Sequence, residues 1–450
     1  MAISRSRIHR LFLSIGFAAA ALGPATAWAA GFAIKEQSGS SQGHSFASAS
    51  TGIEDISTMF FNPSLMAFHE GNQLVTVGSL IIPQSEFKDG SGSFQAGGAI
   101  GNAAGFTGLD DIGKDALVPA TYAMISPAEN VRLGLAVTSP FGLVTTNPEG
   151  WVGRYHALDS RLTTINISPT AAFRINDYLA VGVGFVAQYL DAKLTNAVDF
   201  GTIGDGLGGI AGQEDGRAKL RADDLGFGFT LGLTITPVEG TRIGLGYRSQ
   251  IAHTAKGDAA FDLGSGVGNT VSALTGQFVD GGAQTSVTLP EQVSIGLHQD
   301  INDELAIMAE VQWTHWSRFQ ELRIEFDNPA QADSVTLESW ENSWFFALGG
   351  TYKPFDDWTF KLGVAFDQSP VPDDTRTPRI PDEDRYWISG GISYDPYDWL
   401  SLSLGYTHIF LPDADIDLGF DDPNNALRGS LEGTYEASID IIALQGKITF

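Results

Sequence analysis

The side chains that could carry chemistry are few, and their spacing favours binding over catalysis. The chain has 450 residues and no cysteine, so it offers no thiol nucleophile, disulfide or thiolate metal site. Its eight histidines are scattered and form no H-E-x-x-H pattern. The stretch "DADIDLGFDD" at 413–422 has the alternating carboxylates of a calcium loop, but its glycine comes one place late for that motif. We therefore expect no enzymatic activity, no cofactor and no metal site.

Basic side chains could instead bind an anionic ligand, because a guanidinium forms strong hydrogen bonds with a carboxylate. Strand alternation, described below, places six of them on the inner face of the predicted sheet: Arg132, Arg174, Arg242, Arg248, Arg318 and Lys361. Arg154 lies in a predicted loop. Arg154, Arg248 and Arg318 are the candidates for binding a headgroup. The alternative for each of them is a salt bridge to an acidic residue of the interior, which we regard as the stronger expectation.

Positions 54–68 form the second candidate site. They read "EDISTMFFNPSLMAF", which lacks strand alternation, and Pro63 would interrupt a helix. A disordered tail would not need so many large apolar residues, although a linker remains the alternative. The residues that could line a hydrophobic binding site are Met59, Phe60, Phe61, Leu65, Met66 and Phe68.

The elements that must position these residues are β-strands, because period-two alternation repeats along the chain. In "WLSLSLGYTH", for example, large apolar residues alternate with Ser, Gly and Thr. Many strands run for about ten residues, the length that a tilted membrane strand needs. The face opposite the apolar residues carries mostly Gly, Ala, Ser and Thr, with few large exceptions (Val186, Leu190, Phe345, Trp387). We predict fourteen strands, at 72–83, 116–126, 130–140, 160–176, 178–195, 217–236, 241–257, 284–300, 304–326, 335–353, 357–368, 385–395, 398–411 and 434–450.

The connections between these strands alternate in length. Short links such as "SPAEN", "NDY" and "DPYD" alternate with long ones such as 84–115 and 141–159. Aromatic residues near strand ends resemble the girdles of membrane barrels: Trp340, Trp344, Trp358, Tyr386, Trp387, Tyr394, Tyr397 and Trp399. Short periplasmic turns, long outer loops and an even strand count are typical of an outer-membrane barrel. The strands of a soluble β-sandwich would also alternate apolar and polar residues, but nothing in that fold requires short and long loops to alternate.

The N-terminus and the net charge restrict localisation and partners. Arg5, Arg7 and Arg10 precede the apolar run "LFLSIGFAAAALG", and "ATAWAA" offers a cleavage site after Ala29. We therefore predict a signal peptide and export. The formal charge of −27 argues against nucleic acid as a partner, because binding phosphate requires a basic surface.

Several motifs, in order along the chain, resemble one family. They are "GFAIKEQSGSSQGHSFASASTGIEDISTMFFNPS", "RIGLGYRSQIAHTAKGD", "EVQWTHWSRFQELRIEF" and "TPRIPDEDRYWISGGISY". The chain is similar to the long-chain fatty acid transporters of the bacterial outer membrane (the FadL type, with the TodX-type aromatic-hydrocarbon transporters). The resemblance implies an all-β, 14-stranded antiparallel transmembrane barrel with an N-terminal segment, the hatch, that plugs the lumen.

The resemblance also implies functional positions. Family members carry an Asn-Pro-Ala motif in the hatch, which corresponds here to Asn62, Pro63 and Ser64. Their third strand is kinked and leaves a lateral gap in the wall, and the matching residues are Pro140, Phe141 and Gly142. The alternative is that Pro140 only ends a strand.

These observations predict a signal peptide at 1–29, a hatch at 30–71 and a transmembrane barrel at 72–450. The predicted function is passive outer-membrane uptake of long-chain fatty acids or other hydrophobic compounds, with lateral release near strand three. The alternatives are a transporter for aromatic or alkane hydrocarbons and a general diffusion porin. We expect a monomer in the bacterial outer membrane, in contact with lipopolysaccharide and outer-membrane lipid. The sequence does not distinguish the substrates, and it leaves the effect of Ser64 open.

Overall fold

The structure is a computed structural model that describes residues 31–95, 100, 108–109, 111–264 and 266–450. The predicted signal peptide lies outside the described residues. The strands are β1 Gln73–Ser91, β2 Ala116–Ala128, β3 Val131–Thr138, β4 Gly142–Thr146, β5 Asp159–Asn176, β6 Leu179–Asp199, β7 Asp215–Val238, β8 Thr241–Arg248, β9 Ile251–Asp262, β10 Gly281–Leu289, β11 Gln292–Asp300, β12 Leu305–Thr314, β13 Glu321–Phe326, β14 Ser334–Leu337, β15 Ser343–Phe355, β16 Trp358–Asp367, β17 Arg385–Tyr397, β18 Leu400–Phe410, β19 Ala414–Leu418 and β20 Leu431–Thr449.

Helices are short in the described part of the chain. The α-helices are α1 Gly39–Gln42, α2 Phe200–Ile203 and α3 Gly266–Thr275, and the 3-10 turns are Ile56–Phe60, Pro63–Phe68, Asp205–Leu207, Trp316–Arg318, Asp373–Thr375 and Pro423–Asn425. Within the residues that the structure describes, no helix is both long and apolar enough to cross a bilayer.

The strands form one closed antiparallel barrel. When the two segments of an interrupted strand are counted as one, each wall strand pairs with its neighbours in chain order, and β20 pairs with β1 to close the wall. Six wall strands are interrupted and consist of two segments each, namely β3–β4, β8–β9, β10–β11, β12–β13, β14–β15 and β18–β19. The wall therefore contains 14 strands, which confirms the predicted fold class. Because each of these 14 wall strands has a neighbour on either side for at least part of its length, the barrel leaves no whole strand edge in lipid.

Several strands extend beyond the predicted bounds into the long loops. β1 continues to Ser91, β6 to Asp199, and β20 begins at Leu431. The "DADIDL" stretch forms β19, in which Asp415 and Asp417 are exposed while the intervening residues are buried. These carboxylates share one strand face, as the alternation of the stretch indicates.

Alternation sets the two faces of the wall. Leu402, Leu404 and Tyr406 are each 47% exposed and point toward lipid, whereas Ser403 and Gly405 between them are buried. Trp358 and Tyr394 stack on the outer surface with ring centroids 4.3 Å apart, as expected for a girdle. The girdle assignment of Trp340 and Trp387 was wrong, because both are 1% exposed and lie in the interior.

Residues 31–69 occupy the interior of the barrel and are almost entirely buried. They bond to strands all round the wall: Ser45 Oγ donates to Ser389 on β17 (2.7 Å), Ser50 Oγ to Glu310 on β12 (2.7 Å), and Gly39 N to Gln445 on β20 (2.8 Å). Lys361 on β16 donates to Ser40 O (3.0 Å) and forms an ion pair with Glu54. The small inward side chains of the wall leave room for this segment.

Candidate functional site

The wall is interrupted between β2 and β4. Pairing of β2 with β3 ends at Thr121 and Val137, and β4 pairs with β5. In the described structure, residues 116–120 of β2 pair with β1 on one side and with no strand on the other. Pro119 lies in this unpaired edge, where the missing N–H of a proline costs no ladder bond.

Pro140 and Phe141 form the break between β3 and β4, and Gly142 begins β4. Thr164 on β5 stabilises the break: its Oγ1 accepts from Phe141 N (3.0 Å) and donates to Phe141 O (2.8 Å). Ser139 Oγ donates to Thr164 O (2.5 Å). Thr164 N also donates to Phe141 O (3.1 Å), so this one residue bonds both backbone groups of Phe141.

The N-terminal segment satisfies the inward backbone groups of the break. Ile34 N donates to Pro140 O (2.7 Å), and Gly142 N donates to Phe32 O (3.0 Å). Gln37 donates from Nε2 to Ser139 O (2.9 Å), and its Oε1 accepts from Ser139 N (3.2 Å). The interior segment and the interrupted strand therefore form one hydrogen-bonded unit.

Asn62, Pro63 and Ser64 form a turn that lies against β6 and β7. Asn62 caps the Pro63–Phe68 turn by accepting from Ser64 N (3.1 Å), and its Nδ2 donates to Ser50 O (2.8 Å). Ser64 Oγ donates to Asn62 Oδ1 (2.7 Å) and is 2.7 Å from Thr234 Oγ1 on β7. The hydroxyl that distinguishes this motif from Asn-Pro-Ala therefore connects the turn to the wall.

A pair of glycines makes this close approach possible. Gly182 and Gly232 face each other on β6 and β7. A Cβ on Gly182 would lie 2.4 Å from Ser64 N, and one on Gly232 would lie 2.1 Å from Asn62 Oδ1. Any larger residue at either position would displace the turn.

A small cavity of about 40 Å³ lies between the interior segment and the break. Its apolar wall includes Phe60, Phe61 and Phe141, and its polar wall includes Arg248 and Asp367. Predicted lining, break and headgroup residues therefore meet at one place. The cavity is far below the ~300–1,000 Å³ of a typical ligand pocket, so a long acyl chain does not fit in this conformation.

The other predicted lining residues pack elsewhere. Met59 and Met66 belong to a buried cluster with Val75, Tyr122 and Met124, and Phe68 packs against it. Leu65 is fully buried. These residues stabilise the interior segment against β1 and β2, and they do not line the cavity beside the break.

The predicted basic residues separate into different environments. Arg248 lines the small cavity, donates to Phe60 O (2.6 Å) and lies over the Phe60 ring (4.0 Å). Arg154 is buried and forms an ion pair with Asp215 (2.6 Å), which is the alternative expected for it. Arg318 is exposed and pairs with Glu291 (2.5 Å), so its predicted inward orientation was wrong. The Trp316–Arg318 turn breaks the alternation there.

The remaining inward candidates bond to the interior segment or the wall. Arg132 donates to His69 O (2.7 Å), Arg242 donates to Thr51 O (3.1 Å), and Lys361 pairs with Glu54. Arg174 is 40% exposed at the side chain and lies near Asp177 (3.5 Å).

The long-loop end of the barrel contains a larger groove of about 450 Å³. Its apolar wall comes from strand ends and loops: Leu194, Leu220, Phe261, Leu322, Ile324 and Phe326. Arg379, Arg428 and His156 also line it. Sequence reasoning missed Arg379 and Arg428 because both lie in long loops, where no periodicity indicates which way a side chain points.

Both guanidiniums bond to neutral groups in the described structure. Arg428 donates to Thr336 Oγ1 (3.0 Å) and Val335 O (2.9 Å), and Arg379 donates to Ser160 Oγ (3.0 Å). Burial, with the nearby Arg428, lowers the pKa of Arg379 to about 10, so it stays charged at neutral pH. Because partly buried charges without an ion-pair partner are costly, this end of the groove favours an anion.

Two further titratable groups flank the guanidiniums. Burial lowers the pKa of His156 to about 3, with Arg428 and Arg379 acting in the same direction, so His156 is neutral at pH 7. Burial raises the pKa of Glu338 to about 8, against the opposing effects of Trp340, Arg379 and Arg428. Glu338 is therefore largely protonated at neutral pH, so Asp159 beside Arg379 and Asp422 beside Arg428 are the acidic residues that still act on the guanidiniums.

The described residues contain no group of three or more His, Asp or Glu side chains arranged to hold a metal ion. The geometry consists of an apolar groove with a cationic end, a wall break, and an interior segment between them. Such an arrangement suits an amphipathic molecule with an anionic end.

Comparison with known proteins agrees with this geometry. The chain is similar to the long-chain fatty acid transport protein of Escherichia coli strain K12, with 28% identity over 415 residues that cover 87% of this chain and 90% of that protein. It is also 28% identical to a putative outer membrane protein of Neisseria meningitidis, over 98% of both chains.

Solved structures show the same fold. A Pseudomonas aeruginosa FadL homologue superposes with a TM-score of 0.84 at 25% identity, covering 94% of this chain and all of that one. The Ralstonia pickettii toluene transporter superposes with a TM-score of 0.64 at 18% identity, covering 92% and 99%.

The model of the family described as outer membrane protein transport protein (OMPP1/FadL/TodX) matches residues 20–450. Its members are transporters, which confirms the predictions of an outer-membrane location and of a protein that is not an enzyme. The chain belongs to this family of outer-membrane transporters for hydrophobic compounds.

Proposed function

We propose that this chain takes up long-chain fatty acids, which bind first in the groove at the long-loop end. The observation that carries the proposal is the pairing of an apolar groove with two guanidiniums at its margin. A fatty acid gains about 0.8 kcal/mol for each buried CH₂ group, and its carboxylate would bind Arg379 and Arg428. The E. coli and Salmonella typhi relatives named long-chain fatty acid transport protein support this choice.

Residues 30–71 act in this proposal as the hatch that closes the lumen. Support comes from the burial of the described part of this segment and from its bonds to β12, β16, β17 and β20. The barrel would then conduct few ions at rest, in contrast to a general diffusion porin.

Release would occur sideways through the break between β2 and β4. The unpaired edge of β2 and the cavity beside Phe141 support this route. A hydrophobic molecule that leaves through the wall enters the membrane and avoids the aqueous periplasm. Arg248 would meet the carboxylate at this inner position, because it lines the cavity and lies over Phe60.

An aromatic hydrocarbon is the second candidate, since the chain superposes on a toluene transporter. The groove argues against a neutral ligand, however. Toluene would cover Arg379 and Arg428 without compensating their charge, whereas a fatty acid would neutralise part of it.

The test replaces both groove arginines, as Arg379→Gln with Arg428→Gln, in protein purified in detergent. Laurate affinity, measured by calorimetry, should fall about 100-fold, because two charge-assisted bonds are lost. Toluene affinity should change little. The control removes two exposed cations elsewhere, as Lys88→Gln with Lys353→Gln, and should bind laurate like the parent. Unchanged laurate binding by the groove variant would contradict the proposed headgroup site.

A further inference from the structure

A row of three cations crosses the outer face of the barrel at the long-loop end. Arg161 on β5 pairs in register with Lys193 on β6, which pairs with Arg221 on β7. Like charges directly opposite each other on neighbouring strands are destabilising. Two more cations, Lys219 and Arg217, follow Arg221 at spacing two on the same strand. The whole chain has only 26 Lys and Arg, so this concentration is unusual.

The row points away from the barrel interior. Arg221 shares its strand face with Leu225, which is 55% exposed. Lys193 shares its face with Tyr189 (41%), and Arg161 shares its face with Ile165 (46%). Ile165, Tyr189 and Leu225 are themselves paired in one row, the last apolar row before the long loops. Since side chains alternate with period two, the cations lie on the lipid-facing side.

The distance of the cations from this apolar row is the same on all three strands. Each cation is four residues beyond the apolar residue on its strand, or about 13 Å along the chain. On strands tilted by about 40° this is roughly 10 Å above the hydrocarbon, at headgroup depth. The row between them contains Thr163, Asp191 and Asp223.

Existing contacts leave the cations available. Lys193 pairs with Asp159 at 3.1 Å and Arg221 with Asp191 at 3.3 Å, and the side chain of Arg221 is 70% exposed. Exposed pairs of this kind contribute only about 0–1 kcal/mol. Arg161 Nε is buried without a hydrogen-bond partner in the described structure. A ligand with several phosphate oxygens would approach the exposed ends of these side chains, and the buried Nε of Arg161 is out of its reach.

We propose that Arg161, Lys193 and Arg221 bind the phosphates of a glycolipid of the outer leaflet. The ligand class is a phosphorylated, multiply acylated glycolipid: its acyl chains would cover Ile165, Tyr189 and Leu225, and its phosphates would reach the cation row. β4, which borders the wall break, pairs with β5 opposite Arg161 through Val144. The bound glycolipid therefore stands beside the break. This inference does not depend on which compound the barrel transports.

The experiment measures binding of bisphosphorylated lipid A to the full barrel in detergent by native mass spectrometry. The variant is Arg161→Gln with Lys193→Gln and Arg221→Gln, and its affinity should fall about 100-fold, at roughly fivefold for each cation. The matched control, Lys88→Gln with Arg323→Gln and Lys353→Gln, removes three exposed cations elsewhere and should bind like the parent. Heat-modifiable migration on gels serves as the measure of correct folding.

Two further ligands separate the possible sources of binding. Dephosphorylated lipid A should bind the parent and the triple variant equally weakly, and phosphatidylglycerol should bind the parent more weakly than lipid A. Equal binding of lipid A by the triple variant and the parent would overturn the proposal. It would also be overturned if dephosphorylated lipid A or phosphatidylglycerol bound the parent as tightly as bisphosphorylated lipid A.

Discussion

At the residue scale, single small side chains and single hydroxyls determine how the interior segment lies against the wall. Gly182 and Gly232 accept the Asn62–Pro63–Ser64 turn within van der Waals contact. Ser64 then adds hydrogen bonds to Asn62 and Thr234. The position of the segment thus depends on the missing side chains of the two wall glycines as well as on the hydroxyls of Ser64 and Thr234.

The glycine pair gives the first prediction. Gly182→Ala with Gly232→Ala should displace the turn, cost about 1–3 kcal/mol of stability and raise ion conductance. Thermal unfolding and planar-bilayer recordings measure the two effects. Gly390→Ala is the matched control, because a Cβ there meets nothing within 4 Å. A double variant with the stability and conductance of the parent would show that the turn tolerates displacement.

Glu338 gives a pH prediction. Burial raises its pKa from 4.5 to about 8, so it is mostly neutral at pH 7. Above pH 8 its carboxylate competes with a ligand for Arg379 and Arg428, and laurate affinity should fall several-fold between pH 7 and 9. The same raised pKa makes the folded-state contribution of Glu338 complete below pH 4.5 and progressively smaller as the pH rises to about 8. In the Glu338→Gln variant, laurate affinity should no longer fall between pH 7 and 9, as measured by calorimetry. If the fall persists in this variant, a group other than Glu338 causes it.

At the element scale, the interrupted strand and the N-terminal segment form one unit. The flanking bonds from Ile34 to Pro140 and from Gly142 to Phe32 make Ala33 and Phe141 a non-hydrogen-bonded antiparallel pair. In such a pair the Cα atoms lie about 4.5 Å apart, within the range of a disulfide. The proposed lateral route requires this unit to separate.

A disulfide tests that requirement. Ala33→Cys with Phe141→Cys introduces the only two thiols, since the native chain has no cysteine. The oxidised variant should bind laurate in the outer groove but take up at least about tenfold less fatty acid in cells. Reductant should restore uptake, and each single-cysteine variant should be insensitive to oxidation. Full uptake by the oxidised variant would exclude separation of this pair from the transport cycle.

At the scale of the whole molecule, the 14 wall strands pair into a closed barrel apart from the break between β2 and β4. Strand pairing runs around the barrel and closes between β1 and β20 with no contribution from residues 31–69. Inward small residues then leave an open lumen once the segment is removed.

Deletion of residues 31–69 should therefore convert a poorly conducting barrel into one with large, steady currents in planar bilayers. Heat-modifiable migration on gels verifies that the shortened barrel is folded. A folded deletion variant that conducts as little as the parent would contradict the proposed role of the segment as a hatch.

The wall was predictable from sequence because alternation and loop length are local signals. The fourteen predicted strands correspond to the 14 wall strands even where Pro290 or the Ser249–Gln250 step divides one strand into two segments, but β4 lies within 141–159, which was predicted as a long link. The site was less predictable. Arg318 follows an alternation that the Trp316–Arg318 turn interrupts, and Arg379 and Arg428 reach the groove from loops far apart in the chain. Contacts between residues far apart in the chain produce no periodic pattern in the sequence.

The closing seam has a consequence for biogenesis. β1 and β20 pair from Gln73 with Thr449 to Ser91 with Glu432, and Asn72 and Phe450 exchange backbone hydrogen bonds. The strands that seal the cylinder are thus the first and the last along the chain. Until β20 pairs with β1, the sheet is open on one side. The N-terminal segment directly precedes β1, so it can pack against the inner face of the sheet before this last pairing closes the barrel.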